Sequence, residues 1–145
     1  MEENNSIFID TSFWIALFNP TDNLHQKALK IAQKLDKQNN LFFISNFIFL
    51  EVVTVLSQRV GKKTALEVGN YLLSDSRINL IHIDENLNDR TWQRFKEIKS
   101  KNASFVDASI IETMKMQRLT DLLTFDTKDF SVLAKNRNIN LIAIL

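Results

Sequence analysis

Apolar residues fall along this chain in two alternating rhythms. Short, nearly unbroken apolar runs occur at 7–9, 41–44, 80–83, 122–125 and 140–144, rich in Ile, Leu and Phe. Runs of that length suit strands, and the second, Leu41-Phe42-Phe43-Ile44, has no polar face, as a strand covered on both sides requires. Between the runs, apolar residues return every three or four positions. Leu24, Ala28, Ile31, Ala32 and Leu35 predict a helix over 24–37, and Phe49, Val52, Val53 and Leu56 predict one over 47–59. Ala65, Leu66, Val68, Leu72 and Leu73 do the same for 62–73, with Gly61 as the break before it, and Leu87, Thr91, Phe95 and Ile98 for 86–99. A short buried helix over 13–18 ends at Asn19-Pro20, because proline restricts its predecessor and lacks an N–H. A further helix begins at Ser104, with Val106, Ile110, Ile111 and Met114 inward. Residues 127–130 read as a turn. Alternation of strand and helix predicts an α/β fold, a three-layer α/β/α sandwich around a mostly parallel sheet, with residues 1–145 as one domain.

Composition narrows the chemistry. Eleven Phe and two Trp supply bulk for a core, and Trp14 and Trp92 both read as core or interface residues rather than base-stacking platforms. Two Gly and one Pro leave no glycine-rich phosphate loop, and the absence of Cys excludes disulfides, thiolate nucleophiles and cysteine-held metals. An acidic, polar start, no run long enough for a membrane span and no Cys together predict a cytoplasmic protein without membrane partners. The formal charge of +1 announces no polyanion binder. Basic residues do gather at Arg59, Lys62 and Lys63 and at Arg90, Arg94, Lys96, Lys99 and Lys101. Each group suits ordinary solvated helix surface, but an acidic site acting on a polyanion needs such a rim.

Four acids carry the functional reading. Asp10 ends the first strand and Asp126 the fourth, while Glu51 and Asp107 lie early in helices. Right-handed crossovers put the carboxyl ends of parallel strands on one edge, so all four should meet there. Like charges that close oppose one another unless a cation neutralises them, and an oxygen-only donor set selects Mg²⁺ or Mn²⁺. One or two such ions suit phosphodiester hydrolysis, polarising the phosphoryl group, activating water and stabilising the leaving oxygen. Each acid also has a plainer reading. Asp10 can cap the next helix, Asp107 can be the third residue of a capping box opened by Ser104, Glu51 can be helix surface, and Asp126 can be a turn residue. Thr11, Ser12, Ser104 and Thr124 can orient the acids or act as local caps. Asp129 reads as a supporting or turn residue with Phe130 packed beneath it.

The motifs Phe8-Ile9-Asp10-Thr11-Ser12, Glu51, Ser104-Phe105-Val106-Asp107-Ala108 and Leu123-Thr124-Phe125-Asp126, followed by Asp129-Phe130, occur in an order and spacing similar to the PIN-domain ribonucleases. The resemblance covers nearly the whole chain and is to the small VapC-like toxins of type II toxin–antitoxin pairs. It implies a five-stranded parallel sheet and an acidic quartet of Asp10, Glu51, Asp107 and Asp126 holding Mg²⁺ or Mn²⁺ for RNA cleavage. It further implies frequent homodimerisation and neutralisation by an antitoxin protein. By position, Arg59, Lys62, Lys63, Arg90 and Arg94 are the candidate RNA contacts.

Two other classes compete. A Mg²⁺-dependent phosphotransfer domain of the haloacid-dehalogenase type would want an acid where Ser12 stands. A receiver-like domain can use Asp84 but lacks the paired acids beside the first strand. A noncatalytic binding module would treat all four acids as surface charge.

Overall fold

The computed structural model describes residues 5–135 and 137–142. Five strands, β1 (Asn5–Ile9), β2 (Asn40–Ser45), β3 (Ile78–Ile81), β4 (Asp121–Leu123) and β5 (Asn140–Ile142), form one sheet in the order β3-β2-β1-β4-β5. All four pairings are parallel. Helices α1 (Thr11–Phe18), α2 (His25–Asp36), α3 (Asn46–Arg59) and α4 (Lys62–Ser74) fill the connections that step from β1 to β2 to β3. The chain then returns across the sheet through α5 (Glu85–Glu97) and α6 (Phe105–Gln117) to β4, and α7 (Thr127–Ala134) leads to β5. Right-handed crossovers that step in opposite directions put their helices on opposite faces. Accordingly α1 packs on α2 and α3, and α3 on α4, while α5 packs on α6 and α6 on α7. The result is a three-layer α/β/α sandwich with its core along β1, β2 and β4.

Phe8, Ile9, Ile44, Leu122 and Leu123 are all but sealed from solvent. Burying a side chain of this size contributes about 1.5–3 kcal/mol, which is why strands without a polar face settle at the middle of the sheet. Phe13 and Trp14 of α1 lie on the same core, so only Trp14 of the two tryptophans is a core residue. Trp92 is half exposed, at 50%.

Several boundaries differ from the sequence reading. The third strand is Ile78–Ile81, so His82 lies beyond its end and is exposed. The fourth stops at Leu123, leaving Thr124 and Phe125 past the sheet. The segment read as a turn at 127–130 opens α7, whose Phe130, Leu133 and Ala134 are buried at helical spacing. Of the last apolar run, residues 143–144 lie outside the described residues. Gly61 sits at φ 139 between α3 and α4, a conformation that an L side chain rarely adopts.

The order of strands creates the functional crevice. β1 is flanked by β2, its successor, and by β4, reached only after the chain has crossed back. That reversal is a topological switch point, outside which open α/β sheets leave a cleft at the carboxyl ends of the strands.

Candidate active site

Register puts the first pieces together. Ile9 pairs with Leu123, and the Asp10 N–H donates to the Leu123 carbonyl at 3.0 Å, so the residues just beyond the two strands lie side by side. Asp10 and Thr124 are those residues, and both are buried. The Thr124 hydroxyl donates to Asp10 Oδ2 at 2.8 Å and the Ser12 hydroxyl to the same oxygen at 3.0 Å, while the Thr11 N–H donates to Oδ1 at 2.7 Å. A hydroxyl has one proton to give but can still accept. Ser12 Oγ accepts the Phe125 N–H at 3.0 Å, and Thr124 Oγ1 accepts the Asp126 N–H at 2.9 Å. The two hydroxyls thus tie the chain after β4 to the carboxylate that ends β1.

Glu51 joins from α3. Its Oε1 accepts the Thr11 hydroxyl at 2.7 Å, so Thr11 bridges two acids 41 positions apart, holding Asp10 by its N–H and Glu51 by its side chain. Asp107 arrives on α6. Ser104 Oγ accepts the Asp107 N–H at 3.0 Å and Asp107 Oδ2 accepts the Ser104 N–H at 2.9 Å, the reciprocal capping box that the sequence spacing suggested. Only Oδ2 of Asp107 is used in that box. Asp126 stands at the N-cap of α7 without making a side-chain cap hydrogen bond, so its carboxylate is not spent on the helix.

The electrostatics connect the acids further. Burial pushes the Asp10 carboxyl up from 3.8 to about 6, against the Thr124 hydroxyl that favours its charged form, and the negative charge of Asp107 adds to the rise. Burial likewise raises Asp107, with the charge of Asp129 behind it. Asp126 is raised by burial and by the negative charges of Asp129 and Asp107. Asp129, in the first turn of α7, adds its negative charge to the surroundings of both Asp107 and Asp126. The five acids form a chain running from Glu51 through Thr11 to Asp10, then Asp107, Asp129 and Asp126.

The basic residues are more scattered. Arg59, Lys62 and Lys63 are exposed at the α3–α4 turn, with Arg59 roughly 12 Å further along the helix axis than Glu51 at 1.5 Å per residue. Arg94 is mostly buried and ion-paired with the buried Glu112 of α6, and Arg90 approaches the same carboxylate at 3.7 Å. These two hold α5 on α6, so the guanidinium of Arg94 is already committed. One cation escaped the sequence reading: Lys27 of α2 sits over the Phe125 ring at 5.7 Å, beside the Thr124–Asp126 segment. Nothing in the local sequence marks Lys27, because α2 reaches that segment only through the packing. Asp84 caps α5, its Oδ1 accepting the Leu87 N–H at 2.8 Å.

The donor set is carboxylate throughout, which suits a hard divalent cation. Among the described residues, no group of three or more His, Asp and Glu side chains is arranged to hold a metal ion as it stands. The chemistry of the residues, oxygen donors only, fits such an ion.

A parallel sheet in this strand order, with helices on both faces and acids near its switch point, defines the α/β class, and the family follows from comparison. Residues 7–136 match the PIN domain, and the chain belongs to the PIN-domain family, with clear homology to VapC-type toxins of toxin–antitoxin systems. It is 30% identical over 125 residues to the 23S rRNA-specific endonuclease VapC20 of Mycobacterium tuberculosis, spanning 86% of this chain and 92% of that protein. The crystal structure of that Sarcin-Ricin loop cleaving toxin superposes with a TM-score of 0.78 at 28% identity, covering 88% of this chain and 94% of that one. A VapBC2 structure from Rickettsia felis, bound to a DNA fragment from its promoter, shares the fold with a TM-score of 0.64 at 18% identity, covering 94% and 97%. These findings support nuclease activity of the PIN and VapC type at the level of the family. No helix among the described residues is long and apolar enough to cross a membrane.

Proposed function

We propose that this chain is a divalent-metal-dependent ribonuclease and the toxin of a toxin–antitoxin pair, acting in the cytoplasm. The observation that carries the reading is the linkage of Glu51, Asp10, Asp107 and Asp126 at the switch point of the sheet, through Thr11, the hydroxyls of Ser12 and Thr124, and Asp129. In this reading Asp10, Glu51, Asp107 and Asp126 hold Mg²⁺ or Mn²⁺. A bound divalent ion supplies the charge that neutralises the acids and the Lewis acidity that phosphodiester hydrolysis needs.

The chain's own residues do the rest. Thr11 fixes the spacing of Asp10 and Glu51, and Ser12 and Thr124 orient Asp10 so that its oxygens do not swing away when charged. Ser104 holds Asp107 at the start of α6. Asp129 adds negative charge beside Asp107 and Asp126. Exposed cations at Arg59, Lys62, Lys63 and Arg90, with the half-buried Lys27, offset phosphate charge, and Arg94 acts through its grip on Glu112.

RNA is the proposed substrate class. The 30% identity to a 23S rRNA-specific endonuclease makes large-subunit ribosomal RNA the first one to test. An antitoxin and a second copy of the chain are the proposed protein partners. Exposed Leu50, Leu66 and Leu73 and a groove of about 440 Å³ between α3 and α4 supply apolar surface for them. The test is cleavage of ribosomal RNA by purified protein: it should require Mg²⁺ or Mn²⁺, stop in excess chelator, and be absent in Asp10→Asn. Undiminished cleavage in chelator, or by Asp10→Asn, overturns the reading.

A further inference from the structure

A second feature lies beside the acids and is aromatic. Phe47 is the second residue of α3 and Phe105 the first of α6, the two helices that carry Glu51 and Asp107. The Phe47 and Phe105 rings lie 6.2 Å apart. Phe105 meets Phe95 edge-on at 5.7 Å and Trp92 at 6.4 Å, and Trp92 and Phe95 stack at 6.0 Å with 27° between their planes. The three phenylalanines are half-buried, but Trp92 is 50% exposed. A core does not leave its largest ring half in water, and here two rings, Phe95 and Phe105, hold it in place, with Phe47 behind Phe105. Its surroundings are mixed in charge. Asp89 lies one turn before it, and Lys96 one turn after, followed by exposed Lys99 and Lys101, none of which forms an ion pair among the described residues. Lys99 also borders a cavity of about 230 Å³ that reaches Asp129, so the basic stretch runs on to the acidic chain itself.

Rigid, exposed aromatic rings next to free lysines are what single-stranded nucleic acid uses, the rings taking base faces and the ammonium groups taking phosphates. A paired base has no free face to offer. We propose that Trp92, backed by Phe95 and Phe105, is a stacking platform for an unpaired RNA base flanking the bond to be cut. This rests on the ribonuclease reading and sharpens it to a substrate unpaired beside the cleavage site. The exposed Lys96, Lys99 and Lys101 that follow Trp92 supply the positive charge that the phosphates of RNA would meet.

The two tryptophans make the test direct, because Trp14 is 2% exposed and only Trp92 is open to a quencher. Metal-free protein in chelator is titrated with a single-stranded RNA of about ten nucleotides, within the usual footprint of such sites, and with the same strand annealed to its complement. Fluorescence should be quenched by the single strand and little changed by the duplex. Polarisation of end-labelled RNA should show Trp92→Ala binding the single strand about tenfold more weakly, the size expected for one lost stacking partner, and Trp92→Phe retaining most of the affinity. Equal affinity of wild type and Trp92→Ala, absence of quenching, or equal quenching by the duplex overturns the proposal. So does sedimentation showing a dimer that Trp92→Ala dissociates while affinity for RNA is unchanged. Failure of the ribonuclease reading shows separately, as the absence of Mg²⁺- or Mn²⁺-dependent cleavage. Loss of stacking in an active nuclease removes this inference alone.

Discussion

Asp10→Asn should make the metal-free protein more stable at neutral pH while abolishing its activity. In the folded protein the Asp10 carboxyl is raised from 3.8 to about 6, chiefly by burial. The folded state therefore holds this proton more tightly than the unfolded chain. Stability from that preference is complete below about pH 3.8 and is lost as pH rises through about 6. A difference of about two units corresponds to about 3 kcal/mol. Asparagine carries no charge and escapes the loss, but it matches its surroundings less well. Three donors point at the two Asp10 oxygens, and an amide can accept at only one of its two positions. A mismatched hydrogen bond costs roughly 1–2 kcal/mol, so the net gain at pH 7.5 is about 1–2 kcal/mol, a few degrees in Tm for a chain of this size. Urea unfolding in chelator from pH 4 to 7.5 measures both proteins. Because Asp107 and Asp126 are present in both, the difference between the two curves reports Asp10 together with its coupling to Asp107. That difference should grow in favour of the variant between pH 4 and 6.5. Curves that stay parallel across the range would refute the account of a buried, uncompensated carboxylate. Adding Mg²⁺ at pH 7.5 should stabilise the wild type more than Asp10→Asn, since a ligand stabilises only the state that binds it.

Other substitutions probe the supports. Thr124→Val removes the donor to Asp10 and the acceptor of the Asp126 N–H in a buried place; denaturation should show a loss of about 1–3 kcal/mol, and cleavage should fall with it. Arg94→Ala strands the buried Glu112 carboxylate and should cost about 3–5 kcal/mol by urea unfolding, with Glu112→Gln in the same background recovering part of it. Phe130→Ala opens a cavity under α7 and should cost about 3–5 kcal/mol, visible as a lowered Tm.

Much of the architecture was legible along the chain because periodicity is a local property. The apolar run at 7–9 ending in an acid, the apolar strand at 41–44 and the capping box at 104–107 are each written within a few consecutive residues. α7 was misread for a related reason: its first turn, Thr127-Lys128-Asp129, is polar and turn-like. Its buried positions, Phe130, Leu133 and Ala134, show a helical face only once the sheet lies beneath them. Trp92 adjoins the apolar helix face by spacing, yet it sits outside the core: the positions of α5 that are fully buried are Leu87 and Thr91.

By itself the sequence determined the alternation of strand and helix, the oxygen-only character of the candidate site and the positions of its acids. The order β3-β2-β1-β4-β5, the register that sets Asp10 against Thr124, the bridge from Thr11 to Glu51, the reach of Lys27 to Phe125 and the commitment of Arg94 to Glu112 came only with the tertiary structure. The reason is physical. Hydrophobic rhythm depends on neighbours three or four residues away, whereas the energy of a buried charge depends on groups brought near from more than a hundred residues off and on the water that folding has removed.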